Sequence, residues 1–549
     1  MPTTKQAPWL LGLPHNDWRT YQYEAYQDAL AAMSSNRYVI TEAPVGIGKT
    51  AIASALSDGV ETTVLVQNLG LLEQYRDYGF NILMGRQAYP CVLKSKVDEW
   101  KSKYGKTPTA ADCHYIHNMR YCYACEECPY FVAREEAFAS PRMACTYKYG
   151  AVSDRLRKRT GLLVMDEIHN SVRELLGIES FAMTTSERKK HGLPDFPLMD
   201  FGGSDGDVLD IKSRYELLAW VEKSMPHVAQ IDLFDSMSPL GTEKRKVFDF
   251  LSGLQNLLNE TCELFYKCAK HEVYTKKSGS PVEEYIMEVK QLSPLRIFDR
   301  MTSEKDNVFM MSATIGDPRA LICNEFGIKS YHYKSWPHPV PPDKRPVYDI
   351  AEHAMTHSNI ERDTGLYKKQ AVKIAKWINE MTDKDWRGIV LTTSYAKVRQ
   401  LKKYLENELR NGRKVFPSDM SFTGLQERID RFIKNTDKGA IQIDTIQGWG
   451  TGIDLRGDIA RYSVVAGVPL SNPADKFDAI RFETPEGKEY AYAYAYNSVM
   501  QATGRVSRGE TDDDGVYMLN TAALADKLAT SPMAMSFYSK WFKDAIVKF

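Results

Sequence analysis

The sequence has no charge imbalance. Lys+Arg and Asp+Glu both number 71 in 549 residues, so the formal net charge at pH 7 is zero. Bulk charge therefore argues for no polyanionic partner, and a nucleic-acid surface would need a local basic track. There is no stretch near 18 uninterrupted apolar residues, and Met1 to His15 lacks a basic segment followed by a long apolar one. These absences argue against a membrane span and against export. Internal repeats and low-complexity tracts are missing, which excludes a solenoid or a compositionally disordered chain. Cysteine is sparse outside one segment. Five of the nine lie between Cys91 and Cys128, while Cys145, Cys262, Cys268 and Cys323 are scattered, as small buried apolar residues are.

What is present is a globular composition, with 43% hydrophobic and 26% charged residues. The length calls for two to four domains. Arg37 to Glu42 reads as a strand, Ala43 to Thr50 as a Gly-containing loop, Ala51 to Leu56 as a helix and Thr62 to Gln67 as a second strand, which is a βαβ unit with parallel strands. Leu162 to Met165 is an apolar run suited to a strand buried on both faces. Between 180 and 295, Tyr215 to Met225 and Val247 to Lys270 carry helical apolar spacing, with Pro226 expected to stop the first helix, so this region reads as mostly helical. Val308 to Met311 returns to a buried strand. Trp336 to Pro346 reads as a Pro-rich linker. Strands recur at Gly388 to Thr393, Gly439 to Ile443 and Tyr462 to Ala466, which makes a second α/β domain.

The chemistry starts at Ala43-Pro44-Val45-Gly46-Ile47-Gly48-Lys49-Thr50. Alone, Gly-x-Gly-Lys-Thr also suits an ordinary turn with a surface lysine. A strand before it and a helix after it make it a phosphate loop. Gly46 and Gly48 admit close backbone approach, and Pro44, Val45 and Ile47 complete the cradle. Lys49 neutralises phosphate charge and Thr50 ligates Mg²⁺. Leu163 to Met165 then leads into Asp166-Glu167-Ile168-His169. An acid pair at the C-terminal end of a parallel strand lies where such sheets bind ligands. Asp166 is expected to hold Mg²⁺ through water, Glu167 to orient and polarise the attacking water, and His169 to couple the nucleotide to neighbouring motifs.

Together these motifs resemble the XPD/DinG group of iron–sulfur helicases in superfamily 2. The phosphate loop resembles that group's Ala-Pro-Thr-Gly-Thr-Gly-Lys-Thr, with Val45 and Ile47 in place of threonines. Asp166 to His169 resembles its Asp-Glu-Ala-His box, Met311-Ser312-Ala313-Thr314-Ile315 its Ser-Ala-Thr motif, and Arg19-Thr20-Tyr21-Gln22 its Arg-Pro-x-Gln. Gln501-Ala502-Thr503-Gly504-Arg505-Val506-Ser507-Arg508 resembles its Gln-x-x-Gly-Arg-x-x-Arg box. Trp449-Gly450-Thr451-Gly452-Ile453-Asp454 resembles a motif ending Glu-Gly-Ile-Asp, with Thr451 where Glu is usual. The resemblance runs from residue 19 to about 520. It implies that Asp454 and Gln501 belong to the nucleotide site and that Arg505 and Arg508 reach the γ-phosphate across the cleft. A helical segment would put both arginines on one face. Tyr492, Tyr494 and Tyr496 are read as packing.

Gly85-Arg86-Gln87-Ala88-Tyr89-Pro90-Cys91 resembles the family's segment carrying its first cluster ligand, and Cys128-Pro129-Tyr130-Phe131-Val132-Ala133-Arg134 the one carrying its last. Cys113, Cys122 and Cys125 lie between. Four of the five would hold a [4Fe–4S] cluster. Cys91, Cys113, Cys122 and Cys128 are the first choice, and the Cys122-x-x-Cys125-x-x-Cys128 run keeps Cys125 open. By spacing alone, tetrahedral zinc is the competing reading.

The expected architecture is α/β: two RecA-like motor domains with an iron–sulfur insertion and a helical arch-like insertion. Residues 1–84, 140–180 and 295–344 (the last with the linker) form the first motor domain, 85–139 the cluster domain, 181–294 the arch-like domain and 345–549 the second motor domain. The expected activity is ATP-dependent, 5′→3′ translocation on single-stranded DNA with unwinding at duplex junctions. ATP, Mg²⁺ and the cluster are the cofactors. Lys94, Lys96, Lys101, Lys103 and Lys106 are candidate phosphate contacts. A monomeric motor is expected, without a membrane, in the cytoplasm of a bacterium, archaeon or phage-infected host. An ATP-gated strand-binding factor and an RNA motor are the alternatives.

Overall fold

The structure is a computed structural model. It describes residues 5–112, 115–116, 119–120, 127–197, 206–229, 239–274, 281–416, 425–449, 455, 459–472, 474–506 and 521–549. Two seven-stranded sheets dominate it. The first runs in the order His332–Ser335, Tyr38–Glu42, Asn307–Ser312, Leu162–Asp166, Thr62–Val66, Arg142–Thr146, Asn81–Leu83, and every pairing is parallel. Its central strands Thr62–Val66 and Leu162–Asp166 are buried at every position, which is why they read as near-continuous apolar runs. Alternate residues feed two cores. Ile40, Leu163, Met165 and Met310 face one layer, and Val39, Val64, Val164 and Phe309 the other.

Strand order is what builds the site. The strands ending in Glu42, Ser312 and Asp166 are neighbours, with Glu42 opposite Ser312 and Met311 opposite Asp166. Three segments far apart in sequence therefore leave the sheet side by side.

The second sheet runs Lys414–Phe416, Ala440–Thr445, Gly388–Thr392, Tyr462–Val465, Thr521–Leu524, Val347–Asp349, Ile546–Lys548, again all parallel. The helix Pro485–Thr503 lies on this sheet and also packs against Arg319–Cys323 of the first domain. Tyr496 is buried and stacks on Phe537 at 5.8 Å, and Tyr494 lies under the Arg173 guanidinium at 4.0 Å, so these tyrosines do pack.

Between the strands Leu162–Asp166 and Asn307–Ser312, the expectation of a mostly helical segment is corrected. Two long helices, Ile211–Ala229 and Pro239–Leu258, are present. They pack on a four-stranded antiparallel sheet ordered Ser180–Thr184, Pro281–Gln291, Leu264–Tyr274, Gly206–Val208. The helical reading of Val247 to Lys270 fails after Leu258, because Leu264–Tyr274 is a strand. Its partner strand, Pro281–Gln291, shows a strand's period of 2. Met287 and Val289 are fully buried, whereas Glu288 and Lys290 pair at 2.6 Å on the other face. Pro226 does not stop its helix either. It sits on the exposed side, while Leu217, Val221 and Val228 hold the other face in the core.

Candidate functional site: the cleft between the two sheets

The strand Tyr38–Glu42 delivers the loop from Ala43 to Gly48, and the helix Lys49–Leu56 begins at once. Gly46 and Gly48 have φ of 97° and 87°, a region that favours glycine, so the loop can curl and turn its N–H groups inward. Gln22 braces it. This nearly buried amide donates to the Gly48 carbonyl at 3.1 Å and accepts from Arg19 N–H at 3.0 Å. A Cβ on Gly48 would lie 2.3 Å from the Gln22 amide nitrogen. The Arg19 to Gln22 motif thus acts here as a support under the phosphate loop.

Beside it, the acid pair ends the strand Leu162–Asp166. Glu167 has φ 53°, a left-handed conformation that costs a non-glycine residue about 1 kcal/mol or more. Such strain persists at sites where surrounding contacts impose it. Glu167 Oε1 lies 3.4 Å from Lys49 Nζ. Its Oε2 accepts from Ser312 Oγ at 3.2 Å and lies 3.2 Å from His169 Nδ1. His169 Nδ1 is 2.8 Å from Ser312 Oγ, and its Nε2 is 2.8 Å from the Asn170 amide nitrogen. An amide nitrogen only donates, so Nε2 accepts and the ring proton sits on Nδ1. Asn170 also donates to Gln67 at 3.0 Å, and Gln67 donates to Glu174 at 3.3 Å. A continuous hydrogen-bonded chain therefore leads from Glu167 to the end of the strand Thr62–Val66.

Asp166 is buried. Its Oδ2 accepts from Tyr75 Oη at 3.0 Å and its Oδ1 from Glu167 N–H at 2.8 Å, while Tyr147 Oη donates to its main-chain carbonyl at 2.9 Å. Burial, and then the neighbouring Glu167 charge, push its carboxyl up to about 7, with Lys49 pulling the other way. Two carboxylates, Asp166 and Glu167, thus stand beside one ammonium, Lys49. A divalent cation would fit that charge, and Thr50 and Asp166 carry side-chain oxygens of the kind Mg²⁺ takes.

The second domain reaches the same place. Thr314, at the end of the Ser-Ala-Thr motif, meets Asn497 and Gln501 of the helix Pro485–Thr503. Asn497 Nδ2 donates to the Thr314 carbonyl at 2.7 Å, Thr314 Oγ1 donates to Asn497 Oδ1 at 3.2 Å, and Gln501 Nε2 donates to Thr314 Oγ1. Arg505 is buried and donates to Gln501 Oε1 at 3.1 Å. Val45, Thr314, Gln501 and Arg505 line one small pocket between the domains, of about 30 Å³. The shared-face argument for Arg505 and Arg508 is corrected. The helix ends at Thr503 with Gly504 as its cap, so Arg505 stands in the turn beyond it. Arg508 and Asp454 lie outside the described residues.

Of the clustered cysteines, Cys91 and Cys128 are described, and Cys113, Cys122 and Cys125 lie outside the described residues. Cys91 follows a bridge between Pro90 and Thr109, and its N–H donates to the Pro108 carbonyl at 2.9 Å. Cys128 is the N-cap of the helix Pro129–Ala139. Tyr89 and Tyr130, two residues from each thiol, pack edge to face at 5.6 Å. The segments carrying the first and last cysteine thus share one platform. That shared platform fits a cysteine-ligated metal site.

Sequence reasoning missed Tyr75, Tyr147, Asn170 and Asn497. A tyrosine in an amphipathic helix and an asparagine amid tyrosines carry no signal until the fold sets them against Asp166 and Thr314.

Comparison with known proteins follows the same division. Residues 15–190 match the family of the type III restriction enzyme res subunit, and residues 378–543 match the helicase C-terminal domain family. An XPD helicase structure superposes with a TM-score of 0.58 at 14% identity, over 97% of this chain and 100% of that one. The S. tokodaii Xpd4 structure gives 0.54 at 13% identity, over 97% and 100%, and an apo XPD structure 0.53 at 14%, over 96% and 100%. The chain shares the fold of these XPD structures, with two parallel-sheet α/β domains. No curated protein matches it. The helicase C-terminal match in the second domain indicates an ATP-driven helicase. Among the described residues, no helix of this XPD-like fold is long and apolar enough to cross a membrane.

Proposed function

We propose that this chain is an ATP-dependent DNA helicase that moves 5′→3′ along single-stranded DNA and opens duplex at a junction. The observation that carries the reading is the meeting of Arg505 and Gln501 of one sheet domain with Val45 and Thr314 of the other in one pocket. Lys49 neutralises the β- and γ-phosphates of ATP, with the loop from Pro44 to Gly48 wrapped around them. Thr50 and Asp166 would hold Mg²⁺, which supplies charge neutralisation on the phosphate oxygens. Glu167, oriented by Ser312 and His169, positions a water in line with the γ-phosphorus and takes its proton as the bond to ADP breaks. Arg505 and Arg508 supply cations from the second domain as charge spreads over the transferred group. Gln501 and Asp454 complete the nucleotide contacts. Closure and release of the cleft, alternating with grip on the strand, give a monomeric cytoplasmic motor its step.

Opening duplex opposes stacking of about 1.4 kcal/mol per base-pair step, so a wedge is needed. The segment from 85 to 139 is assigned that part. Four of Cys91, Cys113, Cys122, Cys125 and Cys128 would hold a [4Fe–4S] cluster that ties it together. The Tyr89–Tyr130 platform and the position of Cys128 support this. Lys94, Lys101 and Lys106 are exposed there for backbone phosphates. The test is unwinding of forked duplexes with one 5′ or one 3′ tail, in DNA and in RNA. Unwinding of the 5′-tailed DNA alone is expected. ATP-dependent strand binding without strand separation would replace the reading with a gated binding factor, and preference for RNA tails with an RNA motor.

A further inference from the structure

One carboxylate next to the phosphate loop has no part in the chemistry above. Glu42, the last residue of the strand Tyr38–Glu42, is fully buried, yet it sits immediately before Ala43. Its side chain accepts five hydrogen bonds. Oε1 takes the Ile315 N–H at 2.6 Å and the Gly316 N–H at 3.0 Å, in the turn that follows Thr314. Oε2 takes Tyr333 Oη at 3.0 Å and Ser335 Oγ at 2.5 Å, from the edge strand His332–Ser335. The fifth donor is Ser539 Oγ, which comes from the C-terminal segment of the second domain.

Ser539 is an unusual donor. It is the N-cap of the helix Lys540–Lys543, a place where a serine hydroxyl ordinarily accepts from its own helix. Here it makes no such cap and is turned across the domain boundary, where its other polar contact is Met500 Sδ at 3.4 Å. The backbone has been brought close for this. Gly316 has φ 69°, and a Cβ on it would lie 1.8 Å from the Phe537 carbonyl oxygen. A buried carboxylate needs all of its donors, because each one lost leaves a desolvated lone pair. A hydroxyl from another rigid body is the donor most easily withdrawn when the bodies separate.

We propose that Glu42 and Ser539 form a closure latch, in which Glu42 is a positioning residue joining the root of the phosphate loop, the turn after Thr314 and the C-terminal segment of the second domain. The latch rests on the reading of the cleft as an ATP-driven motor and adds the contact by which occupancy of the loop reaches Ser539. Nucleotide settles the loop, the loop fixes Glu42, and Glu42 then holds Ser539. Withdrawal of Ser539 loosens Ile315 and Gly316 in turn, through the carboxylate they share.

Ser539→Ala removes one hydroxyl and no helix cap, so it separates coupling from folding. Hydrogen exchange is followed on the full chain with and without a non-hydrolysable ATP analogue. In the wild type, the analogue should slow exchange both at 43–50 and at 537–545. In Ser539→Ala the slowing at 43–50 should remain, while that at 537–545 should fall about tenfold, the weight of one hydrogen bond to a charged group. Strand-stimulated kcat should drop with KM for ATP little changed, and Ser539→Thr should restore both readouts. Equal slowing at 537–545 in wild type and Ser539→Ala would overturn the latch. So would a loss of protection at 537–545 in Ser539→Ala that is the same with and without the analogue, which would mark a structural bond only. A wild type that neither binds the analogue nor hydrolyses ATP would instead reject the motor reading.

Discussion

Gly316 lies where the turn after the Ser-Ala-Thr motif touches the second domain, and alanine there would measure how closely the two domains must fit. Its φ of 69° places it in the left-handed region, and the added Cβ would fall 1.8 Å from the Phe537 carbonyl oxygen. An ordinary carbon–oxygen contact is about 3.3 Å. The C-terminal segment must therefore retreat by roughly 1.5 Å, since the atom it meets is backbone and cannot rotate away. The backbone conformation itself costs alanine about 1–2 kcal/mol within the first domain. The larger effect falls on the cleft. A retreat of that size carries Ser539 away from Glu42 and loosens the approach of Gln501 and Arg505 to Thr314. Misplacement of a catalytic group by 1 Å can cost about 10²-fold in rate. Strand-stimulated ATP hydrolysis by Gly316→Ala should accordingly fall by about 10²-fold. Circular dichroism should be native, the melting temperature only modestly lowered, and KM for ATP within a few-fold of wild type. Turnover within threefold of wild type would refute the argument that this close approach is part of the working cleft.

Two further outcomes are expected. Burial pushes the Cys145 and Cys323 thiols up to about 12, so a neutral-pH alkylating reagent should leave both unlabelled in the native protein and label both after unfolding. Peptide mapping that found either alkylated before unfolding would contradict the packing of the first domain's core. Purified wild type should be brown and contain iron with inorganic sulfide, and Cys91→Ser or Cys128→Ser should lose the iron and duplex unwinding while ATP still binds, since other segments build the nucleotide cleft. Colourless protein with stoichiometric zinc would replace the cluster.

The two parallel sheets were legible because their strands announce themselves. Leu162 to Met165 and Val308 to Met311 are apolar throughout, and a strand covered on both faces needs that. Lys49, Asp166 and Glu167 could be named as candidates because each stands directly after such a strand or its loop. The sheet between 180 and 291 escaped because the run Leu251, Leu254, Leu257, Leu258 set a helical period that was carried past its end, and the alternation of Met287, Glu288, Val289 and Lys290 is short. The long-range pairings of the site were not legible. Glu42 meets Ser539 across 497 residues, Tyr75 meets Asp166 across 91, and Thr314 meets Asn497 across 183. No local pattern encodes such pairs. They follow from strand order and from how the second domain docks. The arginine pair shows the converse error, where an interval of three suggested a helix and Gly504 ended it.

The most direct measurement of the proposed motor is ATP hydrolysis by wild type and Glu167→Gln in the presence of single-stranded DNA. Glutamine keeps the shape beside Ser312 and His169 but cannot take the proton of water. The wild type should be stimulated by the strand. Glu167→Gln should bind ATP with near-normal affinity and turn it over about 10²–10⁴-fold more slowly, the usual worth of a positioned base. Near-wild-type, strand-stimulated turnover in Glu167→Gln would contradict the assignment of this cleft as the engine of the protein.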